Sequence, residues 1–196
     1  MSRNTKENAE RITVGVSACL LGENVRYDGK NKLEPAVVSQ LGKVFDLAPF
    51  CPEVGIGMPS PREAVDLVWD GEGHRIVGAS SGEDYTARMK EYAMAKMDEL
   101  KSAGASGFVF KKKSPSCGAG GVRRLDAGAA GVVDEKGIGF FAAAVMEAFP
   151  FAPVVEEDRL RDAAVTQEFI ERVFACRSRM EPARGGPLSG QRERGR

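Results

Sequence analysis

The chain has 196 residues, of which 42% are hydrophobic and 29% charged, with 28 Lys plus Arg set against 28 Asp plus Glu. A formal net charge of zero removes any general pull toward nucleic acid or anionic lipid, although a local basic patch remains open. No apolar run approaches the roughly 20 residues of a membrane span, so the composition is that of a soluble globular protein with a sizeable core.

Met1–Glu10 is polar and lacks the apolar stretch of a signal peptide, so a cytoplasmic location is expected. Long-lived disulfides are uncommon there, and the four cysteines lean toward metal binding, catalysis or burial. Residues 1–11 read as a flexible lead. Ile12–Ser17 is apolar and β-rich, as in a buried strand, and runs into Ala18-Cys19-Leu20-Leu21-Gly22. A polar loop with Arg26, Tyr27 and Asp28 follows, then a short helix over Pro35–Leu41. A second apolar run, Val44–Phe50, ends at Cys51-Pro52-Glu53.

Gly55–Arg62 is rich in Gly and Pro and reads as irregular. Ala64–Trp69 and His74–Val77 suit a hairpin around Asp70-Gly71-Glu72-Gly73. A long helix is expected from Asp84 to Ser102, with Tyr85, Met89, Tyr92, Ala93, Met97 and Leu100 on one face. Ser106–Phe110 reads as a third buried strand and leads into Lys111-Lys112-Lys113-Ser114-Pro115-Ser116-Cys117-Gly118. After a Gly-rich section come helices at Ile138–Ala148 and Asp162–Cys176. Residues 181–196 read as a disordered basic tail. The strand–helix alternation predicts an α/β fold with a mainly parallel sheet over 11–180, as one domain.

In such sheets ligands bind beyond the carboxyl ends of the strands. Cys19, Cys51 and Cys117 each follow a predicted buried strand, so a parallel sheet would gather them at one edge. Three thiolates suit zinc, given a fourth ligand or a water, and equally an iron–sulfur cluster. The chain has one histidine, His74, and no CxxC pair, which weighs against a zinc ribbon and against a thiol redox protein. Simple burial of three small side chains is the plain alternative. Cys176, on the last helix, reads as structural.

Val16-Ser17-Ala18-Cys19-Leu20-Leu21-Gly22, Val25-Arg26-Tyr27-Asp28-Gly29, Cys51-Pro52-Glu53, Pro61-Arg62 and Lys113-Ser114-Pro115-Ser116-Cys117-Gly118 together resemble the DUF523 family, over roughly Arg11 to Phe174. Characterised members are thiouracil desulfidases. The resemblance implies a Rossmann-like fold and a [4Fe-4S] cluster on Cys19, Cys51 and Cys117, with one iron lacking a protein ligand. It implies sulfur removal from a thiolated pyrimidine of the 4-thiouracil, 4-thiouridine or 4-thio-UMP type, giving the oxo base and hydrogen sulfide. The family's catalytic glutamate and serine fall on Glu53 and Ser114.

Arg26, Arg62 and Ser116 are expected to bind substrate, since charged and hydroxyl groups beside the cysteines can receive a phosphate or a base oxygen. The expected partner is a small thiolated base, nucleoside or nucleotide, with no membrane and no stable nucleic-acid partner. A non-catalytic metal- or sulfur-binding module would use the same cysteines but would have no need of Glu53.

Overall fold

Apolar residues in succession, rather than in alternation, mark β1 (Thr13–Ser17) and β5 (Phe108–Phe110) as strands covered on both faces. The computed structural model, which describes residues 11–128 and 131–180, shows them side by side in a four-stranded sheet. Its order is β2 (Asp46–Phe50), β1, β5, β8 (Val154–Glu156), and every pairing is parallel. β2 is an edge strand, which is why Pro49 is tolerated in it. Gly15 is required in β1 because a Cβ there would stand 2.7 Å from the Phe108 ring.

Both faces of this sheet are covered. On one, Phe50, Phe108 and Phe110 pack against Ala93, Met97 and Leu100 of α3 (Thr86–Ser102) and Phe141, Ala142 and Val145 of α4 (Phe140–Ala148). On the other, Val14, Val16 and Val109 meet Val37, Leu41 and Phe45 around α1 (Gly42–Val44), and Phe169 and Val173 of α5 (Ala163–Met180). The expected helices are therefore present, and α3 buries the expected face. Asp162 caps α5, its carboxylate accepting the Ala164 N–H at 2.8 Å. Among the described residues no helix is long and apolar enough to cross a membrane. The expected tail, residues 181–196, and the expected lead, residues 1–11, lie outside the described residues except for Arg11, whose guanidinium donates to the Gly42 and Phe45 carbonyls at 2.7 and 2.8 Å.

A second sheet was only half legible. The predicted hairpin forms as β3 (Val65–Trp69) and β4 (His74–Gly78), with Val65 opposite Gly78 and Trp69 opposite His74. Asp70 organises the turn by accepting the Glu72 and Gly73 N–H groups. The Gly-rich section then adds β6 (Val122–Asp126), parallel to β3, and β7 (Val132–Gly137), antiparallel to β6. These strands are mostly polar and half-exposed, so no apolar run announces them. A third core of Ile56, Met58, Leu67, Ile76, Met89 and Val122 joins this sheet to α3.

The short helix α2 (Pro52–Gly55) follows β2 and carries Glu53. Its last residue must be glycine, because the Tyr92 ring occupies the place a Cβ would take. Gly55→Ala is expected to destabilise the chain by about 1–3 kcal/mol through overpacking, read as a lowered thermal midpoint. Adding Tyr92→Leu should recover most of that loss.

Candidate functional site

Parallel register sets the strand ends level. Ser17 lies opposite Phe50 and Val16 opposite Val109, so the chain leaves β1, β2 and β5 at one edge. From β1 it enters a 3-10 turn, Ala18–Leu21, that carries Cys19 and closes on Gly22 at φ +96. From β2 it passes through Cys51 into α2, with Pro52 at the first helical position. From β5 it enters the Lys111–Gly118 loop, whose first N–H is anchored on the buried Ser17 Oγ at 3.1 Å. Cys19, Cys51 and Cys117 line a single cavity of about 550 Å³. Cys176 is buried on α5 and takes no part.

The loop before Cys117 is tightly constrained. Ser114 Oγ accepts the N–H groups of Ser116 (3.3 Å) and Cys117 (3.0 Å), and Ser114 O accepts that of Gly118 (2.8 Å). The otherwise unsatisfied N–H groups at the start of α4 are met by the Pro115 and Ser116 carbonyls. Gly118 is obligatory, since a Cβ would strike Val122 and the Ser114 carbonyl. Accepting two N–H groups polarises the Ser114 hydroxyl, so it is a better donor toward the cavity it lines.

Burial pushes the Cys19 thiol up to about 11, and proximity to Cys51 adds to it. The Cys51 thiol is raised chiefly by burial, and Cys117 is raised well above its ordinary value by burial and then by Cys51. Three thiolates here therefore call for a cationic centre in place of their protons. Among the described residues no three His, Cys, Asp or Glu side chains converge on one metal ion. Three cysteines spaced around one cavity fit an iron–sulfur centre, whose iron atoms are spread over several ångströms. Soft sulfur donors suit it as well.

Glu53, Ser114, Arg26 and Arg62, all expected at the site, line the same cavity. Glu53 lies beside Arg62, whose Nε and terminal nitrogen donate to Glu53 Oε2 at 2.9 and 2.6 Å. Ser116 is fully buried behind the wall, and its hydroxyl donates to Glu53 Oε1 at 2.9 Å. Arg26 makes a loose 3.8 Å pair with Asp28 and lies over the Tyr27 ring, 5.6 Å from its centroid. Lys113 also lines the cavity, and no carboxylate among the described residues pairs with it.

Other parts of the site were not foreseen. The opposite wall comes from the second sheet, through Val65, Asp66, Val122 and Arg123. Behind the cysteine loop, Glu157 accepts from Lys111 Nζ and from the Lys112 N–H, both at 2.6 Å. Lys112 Nζ in turn pairs with Asp158. The signal was present in Val154-Val155-Glu156-Glu157-Asp158, where two apolar residues before a run of acids mark a short fourth strand ending at the same edge.

Comparison with known proteins places this arrangement among relatives. The model of the 2-thiouracil desulfurase family matches residues 14–157, which span every site residue named above from Cys19 to Glu157. The uncharacterized protein YbbK of Bacillus subtilis (strain 168) is 32% identical over 114 residues, or 54% of this chain and 72% of that protein. The solved structure of TudS, a [4Fe-4S]-dependent thiouracil desulfidase, superposes with a TM-score of 0.60 at 31% identity, covering 81% of this chain and 99% of that one.

The Lys111–Glu157 pair is largely buried, with side chains 20% and 6% exposed. Glu157→Ala strands a buried ammonium and is expected to cost about 3–5 kcal/mol in urea denaturation of the metal-free chain. Replacing both partners with Met should restore part of it.

Proposed function

This chain belongs to the 2-thiouracil desulfurase family, and from that premise we propose that it is an iron–sulfur enzyme removing sulfur from thiolated pyrimidines. The substrate is of the 4-thiouracil, 4-thiouridine or 4-thio-UMP type. The reaction is hydrolytic: water and the C=S group give the C=O group and hydrogen sulfide. One observation carries the reading. Three cysteines from three strand ends line a single cavity together with a carboxylate and a serine hydroxyl. The unit that works is residues 11–180, acting as one domain in the cytoplasm, where thiols stay reduced.

Cys19, Cys51 and Cys117 would hold a [4Fe-4S] cluster, leaving one iron without a protein ligand. When bound, that cluster supplies a soft Lewis-acidic site suited to sulfur. Glu53 is the general base, accepting a proton from the attacking water and holding it for the departing sulfur. Ser114, its oxygen already engaged by two backbone N–H groups, donates its own proton to the substrate or the water. Arg26 and Lys113, loosely paired or without an acidic partner among the described residues, face the same cavity and receive a base oxygen or a phosphate. Tyr27, half exposed beside Arg26, offers a ring face to the pyrimidine.

Anaerobic reconstitution followed by iron and sulfide quantitation, and by sulfide-release assays on 4-thiouracil, 2-thiouracil, 4-thiouridine and 4-thio-UMP, tests this reading. Turnover is expected on the 4-thio compounds. A fully loaded protein that releases sulfide from none of them overturns it. Ser variants of Cys19, Cys51 or Cys117 should lose iron, whereas Cys176→Ser should keep it. Glu53→Ala should retain iron and lose about 10²–10⁴-fold in kcat, the ordinary worth of a general base. Unchanged function in that variant would instead point to a binding module.

A further inference from the structure

We infer that Arg62 and Ser116 act through Glu53 rather than on substrate, as the two positioning residues that aim its carboxylate into the cavity. The inference rests on the reading of Glu53 given above.

Arg62 is sealed in, with its side chain 3% exposed. A guanidinium has five N–H donors, and four of them are taken up within the protein. Nε donates to Glu53 Oε2 at 2.9 Å, and one terminal nitrogen donates to the same oxygen at 2.6 Å and to Val25 O at 2.8 Å. The other terminal nitrogen donates to Pro59 O at 3.1 Å. The carbonyls of Val25 and Pro59 belong to different loops, so the guanidinium plane is fixed independently of the carboxylate it holds. Little of Arg62 is left to recognise a ligand, although its side chain borders the cavity.

Ser116 completes the arrangement from the other side. It is fully buried and its hydroxyl donates to Glu53 Oε1 at 2.9 Å. Its backbone cannot shift freely, because its carbonyl accepts the Phe141 and Ala142 N–H groups at the start of α4. Its own N–H donates to Ser114 Oγ at 3.3 Å. Ser116 thus touches both groups proposed to do chemistry, one through its amide and the other through its hydroxyl.

The two carboxylate oxygens become inequivalent. A carboxylate offers about four acceptor sites. Oε2 receives two hydrogen bonds from Arg62, whereas Oε1 receives one from Ser116 and keeps a lone pair. With Oε2 filled and the carboxylate plane set from both sides, that remaining Oε1 lone pair is the one for a water in the cavity. Alignment of this kind matters because a displacement of about 1 Å can cost 10²-fold in rate.

Ser116→Ala removes one hydroxyl with little change in volume, and Arg62→Lys keeps the charge but loses the planar fork. In the reconstituted enzyme each variant is expected to lower kcat about 10–100-fold, with KM and iron content within twofold of wild type. In a Glu53→Gln background Ser116→Ala should cost less than twofold more, because a group acting only through Glu53 has nothing left to align. A raised KM at unchanged kcat would make these residues substrate contacts and overturn the inference, as would losses that multiply in the double variant. If Arg62→Lys fails to fold, Ser116→Ala decides alone. Should wild type release no sulfide from any thiolated pyrimidine, the functional reading falls, and crystal structures of the variants still judge the positioning. A rotated Glu53 carboxylate supports it, and an unmoved one overturns it.

Discussion

Everything at the site depends on the parallel pairing of β1 with β2 and β5. Because the register sets Ser17 against Phe50 and Val16 against Val109, the chain exits all three strands on one side and at one level. Residues separated by tens of positions in sequence then share one cavity. The pairing is held by burial on both faces, with aromatic packing of Phe50, Phe108 and Phe110 below and aliphatic packing of Val14, Val16 and Val109 above. A slip of one residue would exchange these two faces and turn the packing inside out.

Gathering thiols in this way carries an electrostatic cost that the surroundings only partly offset. Burial raises all three, and Cys51 raises both of its neighbours further, whereas Lys111 and Arg26 work in the opposite direction at Cys19. Lys111 is in turn held by Glu157 at the end of β8. The fourth strand therefore supplies no cysteine but anchors a cation beside the sulfur donors. An iron–sulfur centre would complete the compensation, since metal binding replaces the protons that burial otherwise retains.

The second sheet turns an open edge into a walled pocket. It contributes Val65, Asp66, Val122 and Arg123 to the far wall, and it is tied to the first sheet through α3, whose face is shared between two cores. The Gly55 contact with Tyr92 makes the coupling local, because the same helix that joins the sheets sets the height of α2 and hence of Glu53. Enclosure also lowers the local dielectric, which strengthens each hydrogen bond to that carboxylate.

By itself the sequence determined three of the four strands of the parallel sheet, the helices that cover it, and the three strand-end cysteines, because long apolar runs and Gly/Pro punctuation are local signals. The motif blocks added Glu53 and Ser114. Tertiary structure alone decided the rest. β6 and β7 are too polar for a periodic signal, and β8 offers only two apolar residues before a run of acids, too short to show a period. Arg62 and Ser116 stand 9 and 63 residues from Glu53, and nothing in their neighbourhoods in the chain shows that their donors face a carboxylate instead of the cavity. Hydrogen-bond direction and burial are properties of the packed molecule. A list of residue types records which groups are available, and only the fold settles which of them are already engaged.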